Sequence, residues 1–284
     1  MMSENESWTD LVPTVAKPIV YAYKYRRFIQ EYWKKAQIKV GLGKPSVIVT
    51  GRAGVGKSVL ASHYHGEANT QDWNESGTSQ DVEIKPITIG DWTKIVAVIP
   101  GQSSQERARA LDEALNKTNE LDGVIHVVDW GFTSIREAAV RKEMIESRRI
   151  DSIYKIREHN LALELNDFES MLDKLTMSIS NGRGPKWLVI AVNKVDLFEK
   201  DLLIAERYYN PLCTSPFTDK INSFLRTVGA NNIKVVHLPV CPMPEPFEWN
   251  GEVVAPQIDS ITKQRNYLRV FIDKVSLIQN GIKY

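Results

Sequence analysis

The stretch that decides the fold is SVIVTGRAGVGKS, residues 46–58. Its first five residues form a short apolar run that a glycine follows at once, as in a buried strand of a parallel sheet. The glycines, spaced as G-x-x-x-x-G-K-S, let backbone N–H groups turn toward an anion. The helix expected from Ser58 adds the positive end of its dipole. The pattern therefore predicts a phosphate-binding loop between a strand and a helix.

The lysine and serine that close this loop predict a nucleotide triphosphate bound with magnesium. Lys57 should reach the β- and γ-phosphates, and the Ser58 hydroxyl should bind Mg²⁺. A chance glycine-rich turn is the alternative, but a strand pattern before the loop and a helix pattern after it argue against chance. The residues that we expect to contact the nucleotide here are Gly51, Arg52, Ala53, Gly54, Val55, Gly56, Lys57, Ser58 and Val59.

From Pro45 onward, strand and helix patterns alternate. Apolar or alternating runs predict strands at 46–50, 82–89, 93–101, 123–130, 186–192 and 233–240, the last of these being the final strand. Helical patterns occur at 58–65, 103–121, over most of 132–184, and at 201–209, 217–228 and 260–279. This order predicts an α/β fold with a mostly parallel sheet of about six strands and helices on both faces. A ligand should lie at the carboxyl ends of the strands.

A second motif, Asn193-Lys194-Val195-Asp196, directly follows the strand run WLVIAV. N-K-x-D in this place resembles the guanine-specificity motif of small GTPases. The resemblance implies that Asp196 accepts hydrogen bonds from the guanine N1–H and amine. It also implies that Asn193 contacts the base and braces the phosphate loop, while the Lys194 stem packs on the ring. Adenine lacks that donor pair, and polar sites of this kind discriminate by about 10⁴ or more.

Weaker motifs between these two extend the resemblance to the switches of Ras-like and Arf-like proteins. Gly-Thr-Ser at 77–79 resembles the first switch, and it implies that Thr78 binds Mg²⁺ and senses the γ-phosphate. Thr70 and Ser79 are the alternatives. Pro-Gly-Gln at 100–102 resembles the second switch, in which the Gly101 N–H meets the γ-phosphate and Gln102 orients the attacking water. The resemblance thus assigns hydrolysis to Gln102, Lys57 and Thr78, and metal binding to Ser58 and Thr78.

The resemblance covers roughly Pro45 to Gln279. It implies a divergent small GTPase: a three-layer G domain of the P-loop NTPase type at 45–284, with a helical insertion at 132–184. Pro-Val-Cys at 239–241 falls where a backbone loop would touch the guanine oxygen, which makes Val240 and Cys241 the expected contacts. The implied ligands are GTP, GDP and Mg²⁺.

The sequence departs from the family pattern at Val98, where small GTPases carry an aspartate that holds Mg²⁺ through water. Losses of this kind cost about 10–100-fold in metal affinity or activity, so weak or partner-dependent hydrolysis is expected. Asp129 could compensate, although capping a loop is the favoured role for it. Arginines in the insertion could act on phosphate, although a solvated helix face is the favoured role for them. These arginines are Arg136, Arg141, Arg148 and Arg149.

Composition limits the partners and the compartment. Lys+Arg number 36 against 35 Asp+Glu, a net charge of +1, so no nucleic acid is expected. With two cysteines, an acidic amino terminus unlike a signal peptide and no apolar run of membrane-spanning length, we expect a cytoplasmic protein. A peripheral position at a membrane stays open.

Residues 1–44 form an amino-terminal extension. Pro18 to Val40 reads as an amphipathic helix with interleaved basic and aromatic residues. In order of preference, it could pack on its own domain, dock on a protein partner or lie on an anionic membrane surface. A protein partner could also bind through the switch regions or the helical insertion.

Three functions compete at this point. The first is a GTPase that slowly hydrolyses GTP to GDP and phosphate and acts as a nucleotide-dependent switch. The second is a GTP-binding interaction module without hydrolysis, which Val98 favours and Gln102 opposes. The third is an ATPase or kinase with an incidental N-K-x-D.

Overall fold

The computed structural model describes residues 7–11, 46–65, 83–89, 92–99 and 121–279. The helix expected at 18–40 lies outside these ranges, and so do five of the residues discussed above: Thr70, Thr78, Ser79, Gly101 and Gln102. No helix within the described ranges is long and apolar enough to cross a bilayer.

Six strands form one sheet in the spatial order β2-β3-β1-β4-β5-β6. They are β1 Val47–Thr50, β2 Glu83–Ile89, β3 Trp92–Val98, β4 Gly123–Val128, β5 Trp187–Val192 and β6 Lys234–Pro239. Strand β2 pairs with β3 as an antiparallel hairpin, and every other neighbouring pair is parallel. The predicted α/β fold with a mostly parallel sheet of about six strands is confirmed.

The helices of the described ranges are α1 Trp8–Leu11, α2 Lys57–His65, α3 Ala138–Glu146, α4 Ile153–Ser180, α5 Leu202–Tyr209, α6 Pro216–Val228 and α7 Ile261–Gln279. Short 3₁₀ turns occur at Val195–Leu197 and Glu199–Asp201. Helices α3 and α4 lie within 132–184, as the helical pattern of that segment predicts.

Alternate residues of the central strands point to opposite faces of the sheet, and each face carries its own apolar cluster. On β5, Leu188, Ile190 and Val192 pack in the cluster that includes residues of α4, α5 and α6. The other three β5 residues pack in the cluster with residues of α2 and α7. Helices therefore cover both faces, and this explains why β1, β4 and β5 read as continuous apolar runs.

Two strand predictions need correction. Strand β4 ends at Val128 and not at Trp130, because Trp130 adopts a positive φ of 49° that breaks the extended backbone. Strand β6 is not the last strand, since the antiparallel hairpin of β7 Phe247–Trp249 and β8 Glu252–Val254 follows it. Its turn, Asn250-Gly251, has two positive φ angles, as tight hairpin turns require.

Three hydrogen bonds, which form a clasp, join this hairpin to the start of α4. The Trp249 indole N–H donates to the Ile150 carbonyl oxygen at 2.8 Å, and the Asn250 amide donates to the Asp151 carbonyl oxygen at 2.8 Å. A carboxylate oxygen of Glu252 accepts from the Ile153 backbone N–H at 3.0 Å, which satisfies a free donor of the first helical turn. The loop after β6 is thereby joined to the beginning of the longest helix.

The first described residues pack onto the far edge of the domain. Trp8 is fully buried. Its backbone N–H donates to a Glu206 carboxylate oxygen at 3.1 Å, and its indole N–H donates to the His237 carbonyl oxygen at 3.3 Å. Trp8 thus joins the first described segment to α5 and to the edge strand β6.

Candidate nucleotide-binding site

A cavity of about 440 Å³ opens at the carboxyl ends of the central strands. Segments that follow β1, β4, β5 and β6 all contribute to its wall, as expected where parallel strands end at one edge of a sheet. The lining includes Arg52, Ala53, Gly54, Gly56, Lys57, Ser58, Val59, Val98, Arg136, Arg148, Asn193, Lys194, Asp196, Pro242, Met243 and Glu245. The two predicted motifs therefore meet in one cavity.

The phosphate loop, residues 51–58, connects β1 to α2. Gly54 and Gly56 have φ angles of +82° and +88°, a region that residues with a Cβ rarely adopt. Another segment of the same chain also lies close to this turn, since a Cβ on Gly54 would lie 2.1 Å from the Ser134 carbonyl oxygen. Gly54 is therefore required both for the turn and for contact with the segment after β4.

Lys57 and Ser58 begin α2 and line the cavity. The Lys57 ammonium is buried and donates to the Arg52 carbonyl oxygen at 2.8 Å. An ammonium has three protons, so this bond is compatible with donation to phosphate oxygens. The Ser58 hydroxyl offers the kind of oxygen that Mg²⁺ prefers, which fits the role expected of it.

Val98 ends β3 directly beside β1 and lines the same cavity. It is 2% exposed and packs in an apolar cluster with Val49 and Val55. A hydrocarbon side chain cannot bind a metal-coordinated water. Among the described residues, the donor set that fits Mg²⁺ therefore rests on Ser58, and phosphate oxygens would complete it.

Asp196 also lines the cavity and is 1% exposed. The Cys241 thiol donates to Oδ1 at 3.4 Å, and the Glu245 backbone N–H donates to Oδ2 at 3.1 Å. Burial raises the pKa of Asp196, and the two donors oppose that shift. Each carboxylate oxygen has further lone pairs, so the held carboxylate can still accept the two guanine donors.

Val240 and Cys241, the expected guanine contacts, directly follow β6 and are fully buried. The Val240 N–H donates to the Val192 carbonyl oxygen, which extends the β5–β6 pairing by one residue. Cys241 is fully buried with its thiol turned to Asp196, so Pro242 and Met243 form the cavity wall instead. The role of the Cys241 side chain in holding Asp196 was missed. Backbone contact of Val240 and Cys241 with guanine stays a prediction.

Asn193 and Lys194 join the base end of the cavity to the phosphate loop. The Asn193 amide donates to the Val55 carbonyl oxygen at 2.7 Å, which is the brace expected of it. Lys194 adopts a left-handed backbone with φ of 59°. Its ammonium donates to the Gly54 carbonyl oxygen at 2.9 Å and to the Phe132 carbonyl oxygen at 2.5 Å. The base motif is thus hydrogen-bonded directly to the phosphate loop.

Residues 46–166, which include the phosphate loop, match the family model described as 50S ribosome-binding GTPase. Asn193, Lys194 and Asp196 of the guanine motif line the same cavity as that loop. Residues 46–166 therefore belong to a divergent P-loop GTPase domain. A GTPase domain of this kind binds guanine nucleotide.

The chain also resembles solved structures at low sequence identity and with TM-scores below 0.5. The GTPase is similar to a chain in the structure of the mammalian SRP receptor, with 16% identity, 69% of this chain and 90% of that chain covered, and a TM-score of 0.39. It is also similar to the Arl6 (BBS3) small GTPase from Trypanosoma brucei with bound GppNp. That match has 13% identity, 84% and 99% coverage, and a TM-score of 0.42. No curated protein matches the sequence.

Asp129 of the GTPase directly follows β4 and is fully buried. Its Oδ1 accepts from the Thr133 hydroxyl at 2.7 Å, and its Oδ2 lies 3.1 Å from the Lys194 ammonium. Both oxygens therefore face protein partners. The arrangement favours the loop-capping role over compensation for Val98.

The four candidate arginines of residues 132–184 separate into two groups. Arg136 and Arg148 line the cavity rim. Arg148 is paired with Glu143 at 2.7 Å and is half exposed. Arg141 instead lies over the Trp249 ring at 5.7 Å, and Arg149 has a positive φ of 59° in the turn before α4. Only Arg136 and Arg148 are therefore placed near the nucleotide site of the GTPase.

Two functional candidates on α4, Asn160 and Glu164, were missed by the sequence analysis. Both are buried polar residues on the face of α4 that meets the segment after β4. The signal that could have found them is their i, i+4 spacing, which puts both on one side of the helix. In a charge-rich helix this spacing is indistinguishable from that of a solvated face.

Proposed function

We propose that this GTPase binds GTP and GDP with Mg²⁺, hydrolyses GTP slowly to GDP and phosphate, and acts as a nucleotide-dependent switch. The observation that carries the proposal is that Lys57 and Asp196, the expected phosphate and guanine contacts, line one cavity. A protein partner would read the switch through the switch segments, the helices of 132–184 or the amino-terminal helix.

Catalysis in this proposal is positioning together with charge stabilisation. Lys57 donates to the β- and γ-phosphates and Ser58 and Thr78 supply oxygens for Mg²⁺, which neutralises phosphate charge when bound. Gly101 donates its N–H to the γ-phosphate and Gln102 orients the attacking water. Because Val98 leaves the outer shell of the metal without its usual carboxylate, turnover without a partner should be slow.

A second candidate is a GTP-binding interaction module without hydrolysis, and the buried Val98 is the observation in its favour. Single-turnover hydrolysis by the purified chain separates the two candidates. In the proposed GTPase, Gln102→Leu abolishes hydrolysis and leaves GTP binding intact. Hydrolysis that is absent from the wild type would favour the module, and normal hydrolysis by Gln102→Leu would contradict the proposed mechanism.

The guanine assignment is tested by Asp196→Asn. The new amide cannot accept both guanine donors, so GTP affinity should fall sharply. Binding of xanthosine triphosphate should improve, because its added carbonyl can accept from the amide. The expected swing in preference is several kcal/mol, roughly the difference between satisfied and unsatisfied buried polar groups.

Titration of GTP, xanthosine triphosphate and ATP against wild type and variant gives the readout. The matched control is Asp201→Asn, an exposed aspartate five residues further along the chain, which should leave the preference unchanged. The guanine assignment would be contradicted if Asp196→Asn kept the nucleotide selectivity of the wild type, or if the wild type preferred ATP to GTP.

A further inference from the structure

One face of α4 carries buried polar side chains where helix packing normally places apolar ones. Asn160 is fully buried and Glu164 is 2% exposed. Burying such groups costs free energy unless each finds hydrogen-bond partners. Their partners therefore show what this face of the helix contacts.

Asn160 binds the connection that follows β4, residues 129–134. Its amide nitrogen donates to the Gly131 carbonyl oxygen at 3.0 Å and to the Thr133 carbonyl oxygen at 3.1 Å. The two bonds use both protons of the amide. One side chain of α4 thus fixes two peptide units of the 129–134 connection.

Glu164, one turn further along α4, binds the beginning of the same connection. Its Oε2 accepts from the Asp129 backbone N–H at 3.0 Å, and its Oε1 accepts from the Tyr209 hydroxyl at 2.5 Å. That hydroxyl in turn accepts from the Trp130 backbone N–H at 3.1 Å. Asn160 and Glu164 therefore hold the connection near both of its ends.

The 129–134 connection is in direct contact with the nucleotide motifs. The Lys194 ammonium donates to the Phe132 carbonyl oxygen and pairs with Asp129. The Gly54 backbone packs against Ser134 so closely that no Cβ would fit. Arg52 of the phosphate loop reaches α4 itself, because its guanidinium donates to the Asn160 carbonyl oxygen at 3.2 Å.

We propose that Asn160 and Glu164 are positioning residues for the nucleotide, which hold the 129–134 connection so that Lys194 and the phosphate loop stay in their binding geometry. The inference rests on the proposed function, since both residues act through the guanine and phosphate contacts. The long helix of the insertion is in this view a structural support of the nucleotide site.

The charge state of Glu164 should make the rate of nucleotide release depend on pH. Burial and the neighbouring Asp129 carboxylate raise the pKa of Glu164 to about 8, while Tyr209 and the more distant Arg52 oppose the shift. Tyr208 is a further titratable group close to Glu164, because burial and the Glu164 charge raise the pKa of Tyr208. Ionisation of Glu164 places a second negative charge beside Asp129, which loosens the connection and releases nucleotide faster.

The test measures the dissociation rate of a fluorescent GDP analogue from the full chain. Asn160→Ala should accelerate dissociation by about tenfold at every pH, since the two hydrogen bonds of the Asn160 amide are lost. Wild-type dissociation should accelerate between about pH 7 and pH 9, and Glu164→Gln should abolish that dependence because the amide does not titrate. Asn166→Ala and Glu158→Gln, on the exposed face of the same helix, are the matched controls.

The outcomes separate the inference from the function on which it rests. A wild type that binds no guanine nucleotide contradicts the proposed function. A wild type that binds, with Asn160→Ala and Glu164→Gln equal to their controls, overturns the inference alone. If Asn160→Ala fails to fold, the nearly isosteric Glu164→Gln decides, because a pH dependence that it leaves unchanged also overturns the inference.

Discussion

Gly123 and Trp187 lie opposite each other at the start of the β4–β5 pair, in register. A Cβ on Gly123 would come within 2.0–2.2 Å of three atoms of the Trp187 indole ring. The indole is 3% exposed and belongs to the apolar cluster under α2 and α7. Glycine is therefore needed here for space, since the backbone is an ordinary extended strand.

Gly123→Ala should destabilise the fold by about 1–3 kcal/mol, the usual cost of forcing an extra carbon into a packed core. The readout is the midpoint of urea unfolding. The double variant Gly123→Ala/Trp187→Leu serves as the control, because a smaller side chain makes room for the methyl. The double variant should lose less unfolding free energy than the two single variants lose together. Additive losses would show that the two positions do not compete for space.

Among the elements, α6 begins with the most complete cap. The Ser215 hydroxyl accepts from the Thr218 backbone N–H at 3.0 Å, and the Thr218 hydroxyl accepts from the Ser215 backbone N–H at 2.8 Å. Pro216 follows at the first helical position. Helix α4 has a weaker cap, in which Ser152 accepts from the Lys155 N–H at 3.4 Å in an exposed position.

Ser215→Ala should therefore lower the free energy of unfolding by about 1 kcal/mol, within the range known for cap residues. Ser152→Ala is the matched control and should cost less, because its bond is longer and water can replace it. Equal effects of the two variants in urea unfolding would argue against the reciprocal cap as a source of stability.

Elements were predictable from sequence where periodicity is long or apolar runs are continuous. Strands β1, β4 and β5 read clearly because helices cover both of their faces. The hairpin of β7 and β8 was not predictable, because strands of three residues are too short to show alternation. The end of β4 was misplaced because the large apolar Trp130 follows so soon after the apolar run that the sequence does not show where the strand ends.

Across the whole molecule, the nucleotide site is assembled from segments that are far apart in the chain. The Asn193–Val55 bond spans 138 residues, and the Arg52–Asn160 bond spans 108. Motifs such as 51–58 and 193–196 were predictable because each carries its chemistry within a few residues. Cys241, Asn160 and Glu164 were not, since their roles depend on partners that only the fold brings near.

The stability of the whole fold should depend on pH through Glu164. Its pKa in the folded state is about 8 against an ordinary value of 4.5. Between these values the folded protein keeps a proton that the unfolded chain has lost, so the free energy of unfolding falls as pH rises. Relative to wild type, Glu164→Gln should gain stability across that window.

Urea unfolding midpoints at several pH values between about 5 and 8 provide the measurement. Glu158→Gln, at an exposed position of α4, should track the wild type throughout. A constant difference between Glu164→Gln and wild type would mean that this carboxyl does not carry a raised pKa in the folded state.

The clasp between the β7–β8 hairpin and α4 also sets an order of events during synthesis. Each of its three hydrogen bonds joins residues 99 positions apart. At about 5–20 residues per second, the ribosome adds the hairpin roughly 5–20 seconds after it has added the start of α4. During that interval the first turn of α4 lacks its clasp and the guanine end of the cavity lacks its wall. A nascent chain therefore cannot complete its nucleotide site before the hairpin has left the ribosome.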